Sequence, residues 1–335
     1  MKLLSHSNGV HKVEKDKTSK RSILKKCVIF FVGLFIFGFL VQILNDFVDN
    51  TRLKSRFKYV RIDGRKMEYK LKTGGDYTVV FDGSIGTTMY EWDDVCKSLE
   101  EKKISTFTYN REGYGFNDGG DNRTPEEQAK DLKALLRKAG APEPYVLVGE
   151  EYGSLVLSNF ANLYSDSVAG VVLINPISEE NIQTKEFKDS IKSKYYRSMF
   201  EKIGTNFSLT ALLNKAGLTM ENDTFKKYLN QNELDEFQSF ENKKNYKQAV
   251  SNELENLYKG ISNSQTNELL GNKPLYLITN NEADPVKKIG NTTVTTIYKE
   301  EIKGSPMSVL DPNSVVTGVN SVLKDAKKAA KKSWF

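Results

Sequence analysis

Histidine is nearly missing from this 335-residue chain. There are two, His6 and His11, and both precede an apolar segment that starts at residue 27. Chemistry in the rest of the chain that needs a side-chain base near neutral pH must therefore do without imidazole. Cysteine is scarce too. Cys27 lies at the edge of the apolar segment and Cys96 farther on, so an intradomain disulfide and a cysteine-based metal site are both excluded. No internal repeat is present, and the only biased tracts are the lysine-rich ends. Charge of one sign is also lacking outside the leader. Residues 1–26 carry eight Lys/Arg against Glu14 and Asp16, which accounts for the formal excess of +6. The remainder is near neutral, and nucleic acid is dropped as a partner.

Residues 27–45 (CVIFFVGLFIFGFLVQILN) hold no charge and are bracketed by Lys26 and Asp46. Nineteen residues at about 1.5 Å each span roughly the 30 Å of a bilayer core. A buried helix of a soluble core is one alternative, and a cleaved signal peptide is another. The apolar region of a signal peptide runs about 7–15 residues and ends in a small-x-small site, whereas QILNDFVDN follows here. An uncleaved single-pass anchor in the cell membrane is the favoured reading. Lys and Arg are denser before the segment than after it, although Arg52, Lys54, Arg56 and Lys58 follow. That asymmetry favours a cytoplasmic amino terminus. The expected layout is a basic tail at 1–26, a transmembrane helix at 27–45, a stalk at 46–56 and an extracytoplasmic globular part at 57–335.

The globular part alternates in character. Residues 77–82 (YTVVFD), 105–110, 145–148 and 170–175 (GVVLIN) are short apolar runs, separated by helix-like stretches at 88–103, 125–139 and 153–164. Thr124 before Pro125 reads as an N-cap with proline at the first helical position, and Gly140 as the stop. This pattern predicts a parallel sheet covered on both faces. Residues 178–271 break the rhythm, being rich in Lys, Asn, Glu and aromatics without clear strands. Strand-like runs resume at 274–279 and 293–298, and a helix closes the chain from 309.

Three motifs carry a resemblance. VVFDGSIG at 79–86, followed by Tyr90, Glu91 and Trp92, looks like a strand and turn that supply an oxyanion-hole N–H. YNREGYGFND at 109–118 is similar to a D-R-x-G-x-G-x-S turn. YVLVGEEYGS at 145–154 sits where a G-x-S-x-G nucleophile elbow belongs. In this order and spacing they resemble the α/β-hydrolase family over most of residues 60–325. The resemblance implies an α/β-hydrolase fold, with a mostly parallel doubly wound sheet and a helical lid at about 178–271. It places Ser84 and Tyr152 at oxyanion-hole positions.

The departures bear on function. Glu151 stands at the nucleophile position between Gly149 and Gly153, and Ser154 falls inside the following helix. The family's histidine position maps to Ser305 in GSPMSVLDP, with Ser308 as the other register. Asp284 in NNEADP matches the place of the triad acid, although aspartate before proline is also a common turn device. Glu150 beside Glu151 would raise its neighbour's pKa if both were buried. No cofactor and no metal site are implied. Aromatics in the lid (Tyr195, Tyr196, Phe200, Phe207, Phe225, Tyr228) read as packing before a ligand cage. The terminal KKAAKKSWF reads as a solvated helix end, with contact to anionic surfaces as the alternative. Three functions stay open: a non-catalytic binder of a small ligand or a membrane or envelope protein, a hydrolase of an ester, amide or carbon–halogen bond working through Glu151 and Asp284, and a structural role in a membrane complex.

Overall fold

The computed structural model describes residues 20–53, 58–220 and 222–332. His6, His11 and the end of the terminal KKAAKKSWF lie outside the described residues. Helix α1 (Lys20–Leu53) runs unbroken through both the apolar segment and most of the stalk. Its stretch Arg21–Leu40 is long and apolar enough to cross a bilayer, and none of it is buried.

The eight-stranded sheet has the order β1-β2-β4-β3-β5-β6-β7-β8. The strands are β1 (Lys58–Ile62), β2 (Arg65–Lys72), β3 (Thr78–Asp82), β4 (Ser105–Tyr109), β5 (Tyr145–Glu150), β6 (Val168–Ile174), β7 (Leu275–Thr279) and β8 (Thr295–Lys299). Strands β3 to β8 pair in parallel, and the β1–β2 hairpin joins antiparallel through β4. Asp63 and Gly64 turn that hairpin, both at positive φ, as a two-residue primed turn requires. The hairpin escapes a reading based on apolar runs because its strands are charged and partly exposed (KYVRI and RKMEYKLK).

The central strands β3 to β7 are buried nearly throughout. Helices α3 (Pro125–Ala139) and α4 (Tyr152–Leu163) cover one face, and α2 (Asp93–Glu100) and α12 (Pro312–Lys332) the other. The start of α3 is fixed by a capping box between Thr124 and Glu127, with Pro125 at its first position. Gly140 ends it in the left-handed conformation.

Between β6 and β7 the chain inserts six helices: α5 (Glu179–Gln183), α6 (Lys185–Gly204), α7 (Leu209–Lys215), α8 (Asp223–Tyr228), α9 (Gln231–Phe240) and α10 (Lys244–Lys259). They carry a third apolar core around Phe225, Phe237, Phe240 and Tyr246, which meets Tyr90 and Tyr114 of the sheet loops. The aromatic expectation needs correcting here. Tyr195 and Phe225 are buried, but Tyr196, Phe200, Phe207 and Tyr228 are exposed. A short helix α11 (Met307–Leu310) precedes α12.

One close approach fixes the middle of the sheet. Gly153, in the first turn of α4, donates its N–H to the Gly83 carbonyl at 3.2 Å. A Cβ at this position would overlap the Asp82 carbonyl oxygen. Backbone is met rather than a flexible side chain, so little can give way. The Gly153→Ala variant is expected to lose about 1–3 kcal/mol of stability, as overpacked positions do, read as a lower urea midpoint.

Candidate functional site

Strand β5 delivers the chain into a sharp turn at Glu151, whose φ of 45° and ψ of −109° are unusual for a residue with a side chain. The turn is held by the Glu151 N–H donating to the Ile174 carbonyl at 3.0 Å. Ser154 contributes as well. Its hydroxyl donates to the Glu151 carbonyl at 2.5 Å and accepts from Ile177 N–H at 3.0 Å. Ser154 is thus buried inside the helix and committed to the turn. Glu151 stands at the N-cap position of α4 without a side-chain capping hydrogen bond, where the helix dipole favours an anion.

Glu151 lines a cavity of about 620 Å³ between the sheet loops and the insertion. Ser305 lines the same cavity, so the elbow and the expected histidine position converge there. Its apolar wall comes from Ile85, Ile177, Met220, Val250, Leu254 and Leu257, and polar side chains including Asn175, Ser193 and Asn222 complete it. Its cations are Lys194, Arg197 and Lys247. Glu201 takes two of them, Lys247 at 2.8 Å and Arg197 at 3.4 Å. Among the described residues Glu151 is the single carboxylate in the lining. The aromatics proposed from the sequence do not line this cavity.

Glu150 faces the other way, as the next residue along a strand must. Its carboxylate accepts from Met307 N–H and, at 3.0 Å, from Ser308 N–H. Beside it lies Glu91, equally buried. Glu91 accepts from the Thr87 hydroxyl, from the Ser308 hydroxyl at 3.1 Å and from the Ser84 N–H at 3.2 Å. Burial pushes the Glu91 carboxyl up to about 7, while the hydroxyl, backbone and Glu150 hydrogen bonds oppose that rise. Burial also raises Glu150, followed by the Glu91 charge and then that of Glu151. From the sequence, Glu150 and Glu151 would raise one another's pKa only if both were buried. The charge that acts more strongly on Glu150 is that of Glu91, while Glu151 lines the cavity.

The oxyanion-hole position is therefore engaged from within: the Ser84 N–H already donates to a carboxylate. The Ser84 hydroxyl is buried without a partner. The Tyr152 side chain is wholly buried, accepting from Asn256 at 3.0 Å and lying under the Arg111 guanidinium. Asp284, expected as a triad acid, caps its own turn. It accepts from Val286 N–H at 2.9 Å and from the Thr279 hydroxyl at 3.1 Å. Burial raises its pKa. It does not line the cavity. The two candidate serines separate, Ser305 to the cavity and Ser308 to the buried carboxylates.

Arg111, in the second motif, joins these parts. Its guanidinium donates to Asp82, to the carbonyls of Gly83 at 2.9 Å and Ser84 at 3.0 Å, and to both oxygens of Glu253 in α10, at 2.7 and 3.0 Å. Tyr109 donates to Asp82 at 2.6 Å and Tyr114 to Glu253 at 2.5 Å. The sequence reading assigned no role to Glu91, Arg111 or Glu253. A signal existed for Arg111 in the motif itself. For Glu253 there was none, since Arg111 and Tyr114 are distant in sequence; Glu91 has near partners in Ser84 and Thr87, but Ser308 is distant. No group of three or more His, Cys, Asp or Glu is arranged to hold a metal ion among the described residues.

Residues 77–285 match the family model described as alpha/beta hydrolase fold. The chain belongs to the α/β-hydrolase fold family. Solved structures of this fold include the epoxide hydrolase CorEH (16% identity, TM-score 0.60), covering 80% of this chain and 98% of that one. An esterase from Thermogutta terrifontis is similar over 81% of this chain and 97% of that one (16% identity, TM-score 0.56). At such identity the likeness concerns the fold. Among curated proteins, the uncharacterized protein YqjL of Bacillus subtilis (strain 168) is 29% identical over 121 residues, 36% of this chain and 47% of that protein. The probable transporter efuK of Hormonema carpetanum is 27% identical over 110 residues, 31% of this chain and 16% of that protein. The matched region thus spans less than half the length of either relative. Within this α/β-hydrolase fold the elbow carries Glu151, and residues 57–335 contain no histidine.

Two outcomes follow for the buried charges. Replacing Arg111 by Met leaves Asp82 and Glu253 buried without their cation, and a loss of about 3–5 kcal/mol is expected, checked by urea denaturation. For Glu91, a carboxyl held up to about 7 favours folding fully below its unfolded pKa and loses that contribution as pH rises through about 7. Native stability should therefore fall between the ordinary carboxylate range and neutrality. In Glu91→Gln this fall should flatten, by an amount on the order of 3 kcal/mol at most, measured as unfolding free energy against pH.

Proposed function

We propose that this chain is a membrane-anchored α/β-hydrolase-fold protein that binds a ligand under its helical insertion without hydrolysing it. The insertion serves as a lid over the cavity. Helix α1 is the anchor, with the amino terminus in the cytoplasm and the folded part on the outer side. The observation that carries the reading is the carboxylate of Glu91 on the Ser84 N–H, in a fold that has Glu151 at the elbow and no imidazole in residues 57–335. Serine-type acyl transfer needs a nucleophile, a base that takes and returns its proton, and free oxyanion donors. A carboxylate nucleophile at Glu151 would still need a base for the water that releases it. Among the described residues the cavity lining offers no second carboxylate, Lys247 is held by Glu201, and Lys194 is the one amine left to serve as such a base.

The same features suit binding. The cavity is of mixed character, with an apolar portion from Ile85, Ile177, Val250, Leu254 and Leu257 and a carboxylate, Glu151, that makes no ion pair among the described residues. That arrangement fits an amphiphile with an apolar body and a cationic or hydrogen-bond-donating group. A membrane or envelope protein is the other class of partner in this reading.

The full chain in detergent micelles should show background turnover on a panel of short- to long-chain acyl esters, indistinguishable from Glu151→Ala. Dodecylamine, an apolar chain with one cationic group, should bind the native chain and bind Glu151→Gln about tenfold more weakly, a loss of about 1.4 kcal/mol. Turnover by the native chain that Glu151→Ala abolishes would reverse the reading in favour of a histidine-free hydrolase.

A further inference from the structure

The distal part of the insertion, from the end of α6 through α7 to residue 218, carries a cluster of exposed apolar side chains in sequence. Phe200, Ile203, Phe207, Leu209, Leu212 and Leu218 are all exposed, Phe200 to 74% and Leu212 to 65%. A patch of this kind on a folded domain marks a contact surface. Its polar surroundings are one-sided. Between residues 199 and 218 the single acidic residue is Glu201. Glu201 is buried and paired with Lys247 and Arg197. The charges left near the patch are those of Lys202 and Lys215.

This surface is continuous with helix α1. The Phe35 ring packs edge-on against Phe207, with centroids 4.8 Å apart. The Ser208 hydroxyl donates to the Gly38 carbonyl at 2.9 Å. A Cβ at Gly38 would overlap the Phe207 carbonyl oxygen, so the contact depends on glycine there. Gly38 lies two residues inside the end of the apolar stretch Arg21–Leu40 and seven inside the end of the uncharged run at 27–45. At about 1.5 Å per residue it sits roughly 3–10 Å below the outer boundary of a span. An amphipathic surface lying in a bilayer interface is buried by about 5–10 Å.

We propose that the α6–α7 tip of the insertion seats in the outer leaflet of the same phospholipid bilayer that α1 crosses. The inference rests on the anchoring of α1 proposed above. The leaflet covers the apolar side chains, and Lys202 and Lys215 meet acidic headgroups. Because α6 also carries Lys194 and Arg197 of the cavity wall, the cavity is held next to the membrane surface.

The full chain with Cys27→Ser is reconstituted into vesicles of phosphatidylcholine and phosphatidylglycerol. It is spin-labelled at Ile203→Cys, at Leu212→Cys or, as an aqueous reference, at Lys130→Cys. Collisions with oxygen, which partitions into lipid, are compared with those of a water-soluble nickel chelate. The oxygen-to-nickel ratio is expected to be several-fold higher at 203 and 212 than at 130. Water-like values at 203 and 212 overturn the proposal. So does exclusion of both quenchers, which would place a second copy or another protein on the patch. An alkaline carbonate wash separates the two failures. A chain stripped from the vesicles overturns the anchor reading and this one together, whereas a retained chain with aqueous labels overturns this one alone.

Discussion

A single guanidinium holds the cavity side of this molecule together. Arg111 is buried among the β3 turn, the β4 turn and helix α10, and its donors are matched by two carboxylates and two backbone carbonyls. A buried ion pair is not in itself a source of stability, since desolvation opposes the Coulomb gain. Its effect here is positional. The same group that fixes the carbonyls of Gly83 and Ser84 also fixes Glu253, so the insertion cannot shift without disturbing the turn that carries the Ser84 N–H. Tyr109 satisfies the remaining Asp82 oxygen and Tyr114 adds a second donor to a Glu253 oxygen, and a satisfied network in low dielectric is rigid.

Beneath the elbow a second buried polar cluster occupies the side opposite the cavity. Glu150 and Glu91 draw the β5 end, the 84–91 turn and the 307–308 turn into one group. Burial raises both carboxyls, and the Glu91 charge adds to the rise at Glu150. These contacts tie the loop after β8 to the elbow by acid–backbone hydrogen bonds. The elbow keeps its strained backbone and its two flanking glycines, while its side chain looks into a cavity lined by both apolar and polar side chains.

Much of this was legible in the sequence wherever geometry demands particular residues. The glycines at 149 and 153, the turn at 109–118 and the apolar central strands located the fold and put Glu151 at the elbow. The β1–β2 hairpin was not legible from apolar runs, because both strands are charged and partly exposed, although Asp63-Gly64 marked its turn. Glu91 and Glu253 were opaque for a different reason. Burial of a carboxylate is decided by partners far along the chain: Ser308 lies 217 residues from Glu91, and Arg111 lies 142 from Glu253. Asp284 illustrates the converse. Both a triad acid and a turn cap fit its local sequence, and its hydrogen bonds are those of a cap.

The position of Glu91 also bears on reversibility. Serine at 151 and histidine at 305 would rebuild the outline of a hydrolytic triad, yet the Ser84 N–H would still face a carboxylate. Removing that carboxylate takes an acceptor from Thr87, Ser84 and Ser308 at once, and leaves Glu150 without its neighbour. On the non-catalytic reading proposed above, the order of change would therefore matter: a serine and a histidine gained first would meet an occupied Ser84 N–H, and loss of Glu91 first would disturb the buried cluster.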